Sequence, residues 1–80
     1  MSIIEYEVDA WLDSQKLLVS NVVRYLNDCC DTWVYISGTT DTTARLVVVT
    51  SIETSREYAK GYIEHRLNVR KVVNYGKSKN

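Results

Sequence analysis

Residues 3–10 read IIEYEVDA, and the period of that stretch constrains the fold more than any other feature. Ile4, Tyr6, Val8 and Ala10 fall on one side, and Glu5, Glu7 and Asp9 on the other. An alternation of period two over this length predicts a strand with one face buried and one face polar. Such a strand needs something apolar laid across it, and the next segment supplies it. In SQKLLVSNVVRYLNDCC, residues 14–30, the period lengthens to that of a helix. Leu18, Val22, Leu26 and Cys29 stack along one stripe, with Val19, Val23 and Cys30 beside it. Asp13 or Ser14 is the expected N-cap.

TWVYIS and RLVVVTS are rich in β-branched and aromatic residues, and they flank the polar stretch GTTDTT. The pattern predicts a hairpin with its loop in that stretch. LVVV is apolar on both faces, as an inner strand would be. Thr54 followed by Glu57 fits a capping box and predicts a helix starting near Ser55. Tyr58, Ala59, Tyr62, Ile63 and Leu67 then form one broad apolar face. RKVVNY predicts a short edge strand, and residues 76–80, GKSKN, a frayed tail. The expected fold is α+β, a single small domain over residues 1–80. Its order is strand-helix-strand-strand-helix-strand, with both helices on one face of a mainly antiparallel sheet.

An 80-residue chain buries roughly 60–65% of its unfolded surface. With no Phe, the core must rest on Val, Ile and Leu, helped by six Tyr and two Trp. Zero Pro and three Gly leave no composition for a long linker. No apolar run approaches the ~18 residues of a membrane span, and the start, MSIIEYEVDAW, lacks the features of a signal peptide. An intracellular, cytoplasmic location is expected. Cys29 and Cys30 are adjacent, so a disulfide between them could not staple distant elements. They are expected to act as small hydrophobes in a reducing compartment.

Catalysis is not expected. Nucleophilic chemistry needs a base beside a Ser or Cys, and the single histidine, His65, falls on the solvated side of its helix. Glu5, Glu7 and Asp9 lie in a row with nothing to split their pKa values. Gly38, Gly61 and Gly76 are isolated and form no phosphate loop. Neither cofactor, metal nor small-molecule substrate is implied.

The net charge of zero hides a polarity. Residues 1–40 carry six acids against two bases, and residues 41–80 carry eight bases against four acids. From His65 onward there are five bases and no acid. That end is expected to meet an anionic partner. Arg56 and Lys60 share one side of the second helix, and Arg66, Arg70 and Lys71 extend the basic run, with Lys77 and Lys79 in the tail. Glu57 and Glu64 are close enough in sequence to satisfy the first pair without nucleic acid. RLVVVTS has no aromatic residue for stacking bases, and no Gly-x-x-Gly loop is present. RNA would therefore be read through its backbone and shape.

VVVTSIETSREYAKGYIEHRL resembles a segment of the eukaryotic large-subunit ribosomal protein twenty-two (eL-twenty-two) family. Val49-Thr50-Ser51 matches the family's strand end, and Ser55, Arg56 and Tyr58 match its helix opening. Lys60 and Leu67 keep register, and Arg70 with Val72-Val73 resembles its closing strand. Upstream, YEVDA and NVVRYL are similar to its first strand and first helix. Glu57, Gly61, Glu64 and His65 depart toward fewer bases, and the link lacks the family's Pro-Phe. Such shortening would suit an organism with a pared-down ribosome, such as a microsporidian.

The resemblance implies a structural constituent of the large (60S) ribosomal subunit, docked on rRNA among neighbouring ribosomal proteins. The phosphate partners expected are Arg56, Lys60, Arg66, Arg70 and Lys71, with Lys77 and Lys79 secondary. Ser55 would add a hydrogen bond to a phosphate near the helix N-terminus. A second reading is a small non-catalytic protein-binding or regulatory module, for example viral, acting through the acidic strand face or a sheet edge. A third is an obligate dimer with no nucleic-acid role.

Overall fold

The computed structural model describes residues 2–10, 13–29 and 31–75. Six elements follow in the expected order. They are β1 (Ser2–Asp9), α1 (Asp13–Cys29), β2 (Trp33–Thr39), β3 (Thr43–Thr50), α2 (Glu53–Arg66) and β4 (Val69–Tyr75). The strands form one sheet in the order β2-β3-β1-β4, with every neighbouring pair antiparallel. This is the split βαβ, or ferredoxin-like, arrangement. The tail 76–80 and the N-cap side chains of Asp13 and Ser14 lie outside what is described.

Register explains why both helices sit on one face. Ile4 pairs with Val48, Tyr6 with Leu46 and Val8 with Ala44. On the far side of β3, Val34 pairs with Val48 and Ile36 with Leu46. The apolar positions of three strands therefore align, and Val19, Val22 and Leu26 of α1 with Ala59 and Ile63 of α2 close over them. Full burial of a Leu or Ile side chain contributes about 1.5–3 kcal/mol, so this layer is the main stabilising element.

Three local expectations are corrected. The helix α2 starts at Glu53, with Ile52 as N-cap and no side-chain cap. Thr50 Oγ1 accepts from Ile52 N at 3.1 Å, and Arg56 N donates to Ile52 O at 3.0 Å. The turn out of β3 thus begins the helix earlier than the Thr54/Glu57 box would. The buried stripe of α1 runs through Val19, Val22 and Leu26, while Cys29 is exposed and Leu18 is only partly covered. Tyr58 is also exposed, so the apolar face of α2 is narrower than its periodicity implies.

Polar side chains hold the connections. Thr32 Oγ1 donates to Leu26 O at 3.2 Å, and Thr50 Oγ1 to Asp31 O at 2.8 Å, fastening the α1–β2 loop. In the hairpin, Thr43 N donates to Thr40 Oγ1 at 2.9 Å and Thr40 N to Thr43 O at 2.8 Å. The β1–β4 register shifts between Glu7 and Val8, whose partners are Lys71 and Val69. Arg70 is the extra residue of that bulge, and it turns onto Asp9. No helix among the described residues is long and apolar enough to cross a membrane.

Candidate nucleic-acid interface

The cations singled out in the sequence fall into two groups. Ser55 and Arg56 lie in the first turns of α2, and Arg66 ends the same helix ten residues after Arg56, about 15 Å along the axis. Arg70 and Lys71 follow at the start of β4. The structure brings Arg66, Arg70 and Lys71 to one end of the molecule and leaves Ser55 and Arg56 at the other. Lys77 and Lys79 lie outside the described residues.

Arg56 is tucked in. Its side chain is 11% exposed, and Nη1 sits 2.6 Å from Glu57 Oε2. Its charge also reaches the phenol of Tyr6. Burial, and then the charge of Glu64, push the Tyr6 hydroxyl well above its ordinary range, while Arg56 pulls the other way. Lys60 is one turn further on and pairs with Glu64 at 3.9 Å, both side chains partly exposed. An open (i, i+4) pair of this kind is weak and easily exchanged.

Arg66 is exposed, with its guanidinium carbon 5.6 Å from the centroid of the Tyr62 ring. That ring stacks on Tyr25 at 4.7 Å and lies 6.1 Å from Tyr58. The Tyr25 and Tyr58 hydroxyls are 2.9 Å apart. Their hydrogen bond, then one with Cys29, raises the Tyr25 pKa. These tyrosines join the outer edges of the two helices: Tyr62 packs against the core as its periodicity predicts, while Tyr58 and Tyr25 are exposed. Lys60 precedes Tyr62 by two residues, or 200° about the axis, so it faces away from α1 toward the β4 edge.

Arg70 donates to Asp9, which also accepts from Asn68 Nδ2 at 2.8 Å. The Asp9 hydrogen bond and charge raise the Arg70 pKa. On the sheet face away from the helices, Lys71 and Arg45 stand on either side of Glu7 in register, and Arg45 Nε is 3.7 Å from Glu5 Oε2. Glu7 is therefore flanked by cations from both neighbouring strands, while Glu5 is reached by Arg45 of β3 and Asp9 by Arg70 of β4. Arg45 was not among the expected contributors, because its place beside Glu5 and Glu7 depends on strand order. Among the described residues no cluster of His, Cys, Asp or Glu could hold a metal ion. Comparison with known protein families and with curated proteins finds no match to this chain.

Proposed function

We propose that the chain is a non-catalytic RNA-docking protein, a constituent of the large ribosomal subunit that grips rRNA by its backbone. The observation that carries this reading is the state of the cations where α2 ends and β4 begins. Arg66 and Lys71 are exposed, and neither forms an ion pair within 4.0 Å among the described residues. Arg70 and Lys60 stand beside them in pairs that are at least partly open to solvent. These four cations surround the β4 edge, Lys60 and Arg66 from α2 and Lys71 from the opposite face of the sheet, where phosphates can displace weak carboxylate partners. The family resemblance of the α2–β4 segment supports the same assignment. Arg56, nearly covered, is assigned to packing in this reading.

Four neutralised phosphates predict a log–log salt slope of roughly −3 to −4 for binding a duplex rRNA fragment. Filter binding across a salt series measures it, and a flat response would overturn the proposal. Co-sedimentation with 60S particles that is abolished by RNase tests the ribosomal assignment separately.

A further inference from the structure

On one side the sheet ends at β2, and that edge is only partly closed. Asn27 bonds both the N–H and the C=O of Val34, so these groups point out of the sheet. Backbone groups alternate in direction along an antiparallel strand, so those of Ile36 point out as well. Nothing among the described residues closes them. The register shifts between Ile36 and Gly38, which limits the open stretch to about one pair of backbone bonds. A free N–H beside a free C=O is a template for an added strand.

A cavity of about 230 Å³ lies on the helix side of this edge. Val19, Ile36 and Ala44 form its apolar part, and Lys16, Ser20 and Thr39 are its exposed lining. Sites for small molecules usually exceed ~300 Å³, so the space is that of one aliphatic side chain. Lys16 makes no ion pair among the described residues. It stands one turn before Ser20 in α1, toward the β2–β3 hairpin.

We infer that the β2 edge binds an extended segment of a partner protein by strand addition, reading an aliphatic residue and an acidic one two positions away. The residue that pairs with Ile36 projects to the same face as Ile36, which carries an aliphatic side chain into the cavity. Side chains return to one face every second residue, so the next one toward the hairpin reaches Lys16, and a carboxylate complements it. On the opposite face, a neighbouring residue lies beside Tyr35, whose ring is 4.9 Å from that of the exposed Trp33. Phosphates offer acceptors alone, which leaves the Ile36 C=O unmatched. The cations assigned to RNA surround β4, at the other edge of the sheet, so the two sites succeed or fail independently.

NMR titration of the isotope-labelled full chain tests the inference, with a blocked heptapeptide as probe. The peptide has a central isoleucine, an aspartate two positions to either side and threonine elsewhere, so it serves either strand direction. The Ile36 amide should shift and exchange more slowly with solvent, approaching saturation by about 2 mM peptide. Methylating the backbone nitrogen of the central isoleucine should abolish binding. Methylating that of the next residue, which faces away from β2, should not. Lys16→Glu, at an exposed position, should weaken binding about fivefold, and a peptide with lysines in place of the aspartates should recover it. No shift at Ile36 across that range overturns the inference. So do equal binding of the two methylated peptides, indifference to Lys16→Glu, or an rRNA fragment that occupies Ile36 where the peptide does not.

Discussion

The side-chain amide of Asn27 closes on both backbone groups of Val34: Nδ2 donates to Val34 O at 2.7 Å, and Val34 N donates to Oδ1 at 2.8 Å. A helix residue thereby supplies hydrogen bonds that no strand offers at the free edge of β2. It ties the end of α1 to the sheet and covers part of an edge that would otherwise invite pairing. Asn27→Ala removes both bonds at once. It should lower stability by about 1–2 kcal/mol, seen as a lower urea midpoint with unchanged m. Asn27→Asp should restore little, since a carboxylate repels the Val34 carbonyl.

Tyr6 presents the opposite case. The ring is fully buried, and its hydroxyl has no hydrogen-bond partner among the described residues. Tyr6→Phe should therefore be neutral, or stabilising by up to ~1 kcal/mol. The pH dependence has a definite sign. Burial and Glu64 raise the folded-state pKa above the ordinary tyrosine value of 10.0. Above pH 10 the unfolded chain loses this proton while the folded one keeps it, so stability present below pH 10 declines as pH rises. Chemical denaturation between pH 9 and 11 should show a shallower decline in Tyr6→Phe than in the parent.

Helix α2 carries two correctable weaknesses. A Cβ added at Gly61 meets nothing within 4 Å, so Gly61→Ala should stabilise by roughly 0.5–1 kcal/mol. Ile52 caps the helix from an extended conformation with no side-chain bond. Ile52→Ser should add about 0.5–1 kcal/mol by satisfying an orphan N–H. The two sites are nine residues apart, and the increments should add in thermal melts of the double variant.

For RNA docking, single substitutions should separate phosphate contacts from packing residues. Arg66→Ala and Lys71→Ala should each weaken binding and reduce the magnitude of the salt slope by about one. Arg56→Ala should leave the slope unchanged and lower the melting temperature, because its side chain is covered and paired with Glu57. Equal slopes for all three variants would contradict the proposed division.

The elements were legible because their periods differ. IIEYEVDA alternates, α1 and α2 repeat at helical spacing, and GTTDTT interrupts two β-branched runs. The boundaries were less so. The start of α2 is set by Thr50 and Ile52 outside the Thr54/Glu57 box, and Tyr58 leaves the core because Tyr25 of α1 meets it at the surface. The cations were legible as residues, and so were the local partners of Arg56 and Lys60, while the distant partner of Arg70 was not. Glu57 and Glu64 are near neighbours in the chain, but Asp9 reaches Arg70 across 61 positions.

By itself, then, the sequence determined the six elements, their order, the single apolar face of β1 and the two-sided apolar character of β3. These depend on local periodicity, which any window of ten residues contains. Only the tertiary structure decided the order β2-β3-β1-β4, and with it everything that lies across strands. It covered one face of β3 and left Val47 and Val49 on the other, beside Trp33 and Tyr35. It also set Arg45 and Lys71 on either side of Glu7 and parted Arg56 from Arg66. Those relationships come from pairing register between distant segments, which no local pattern encodes.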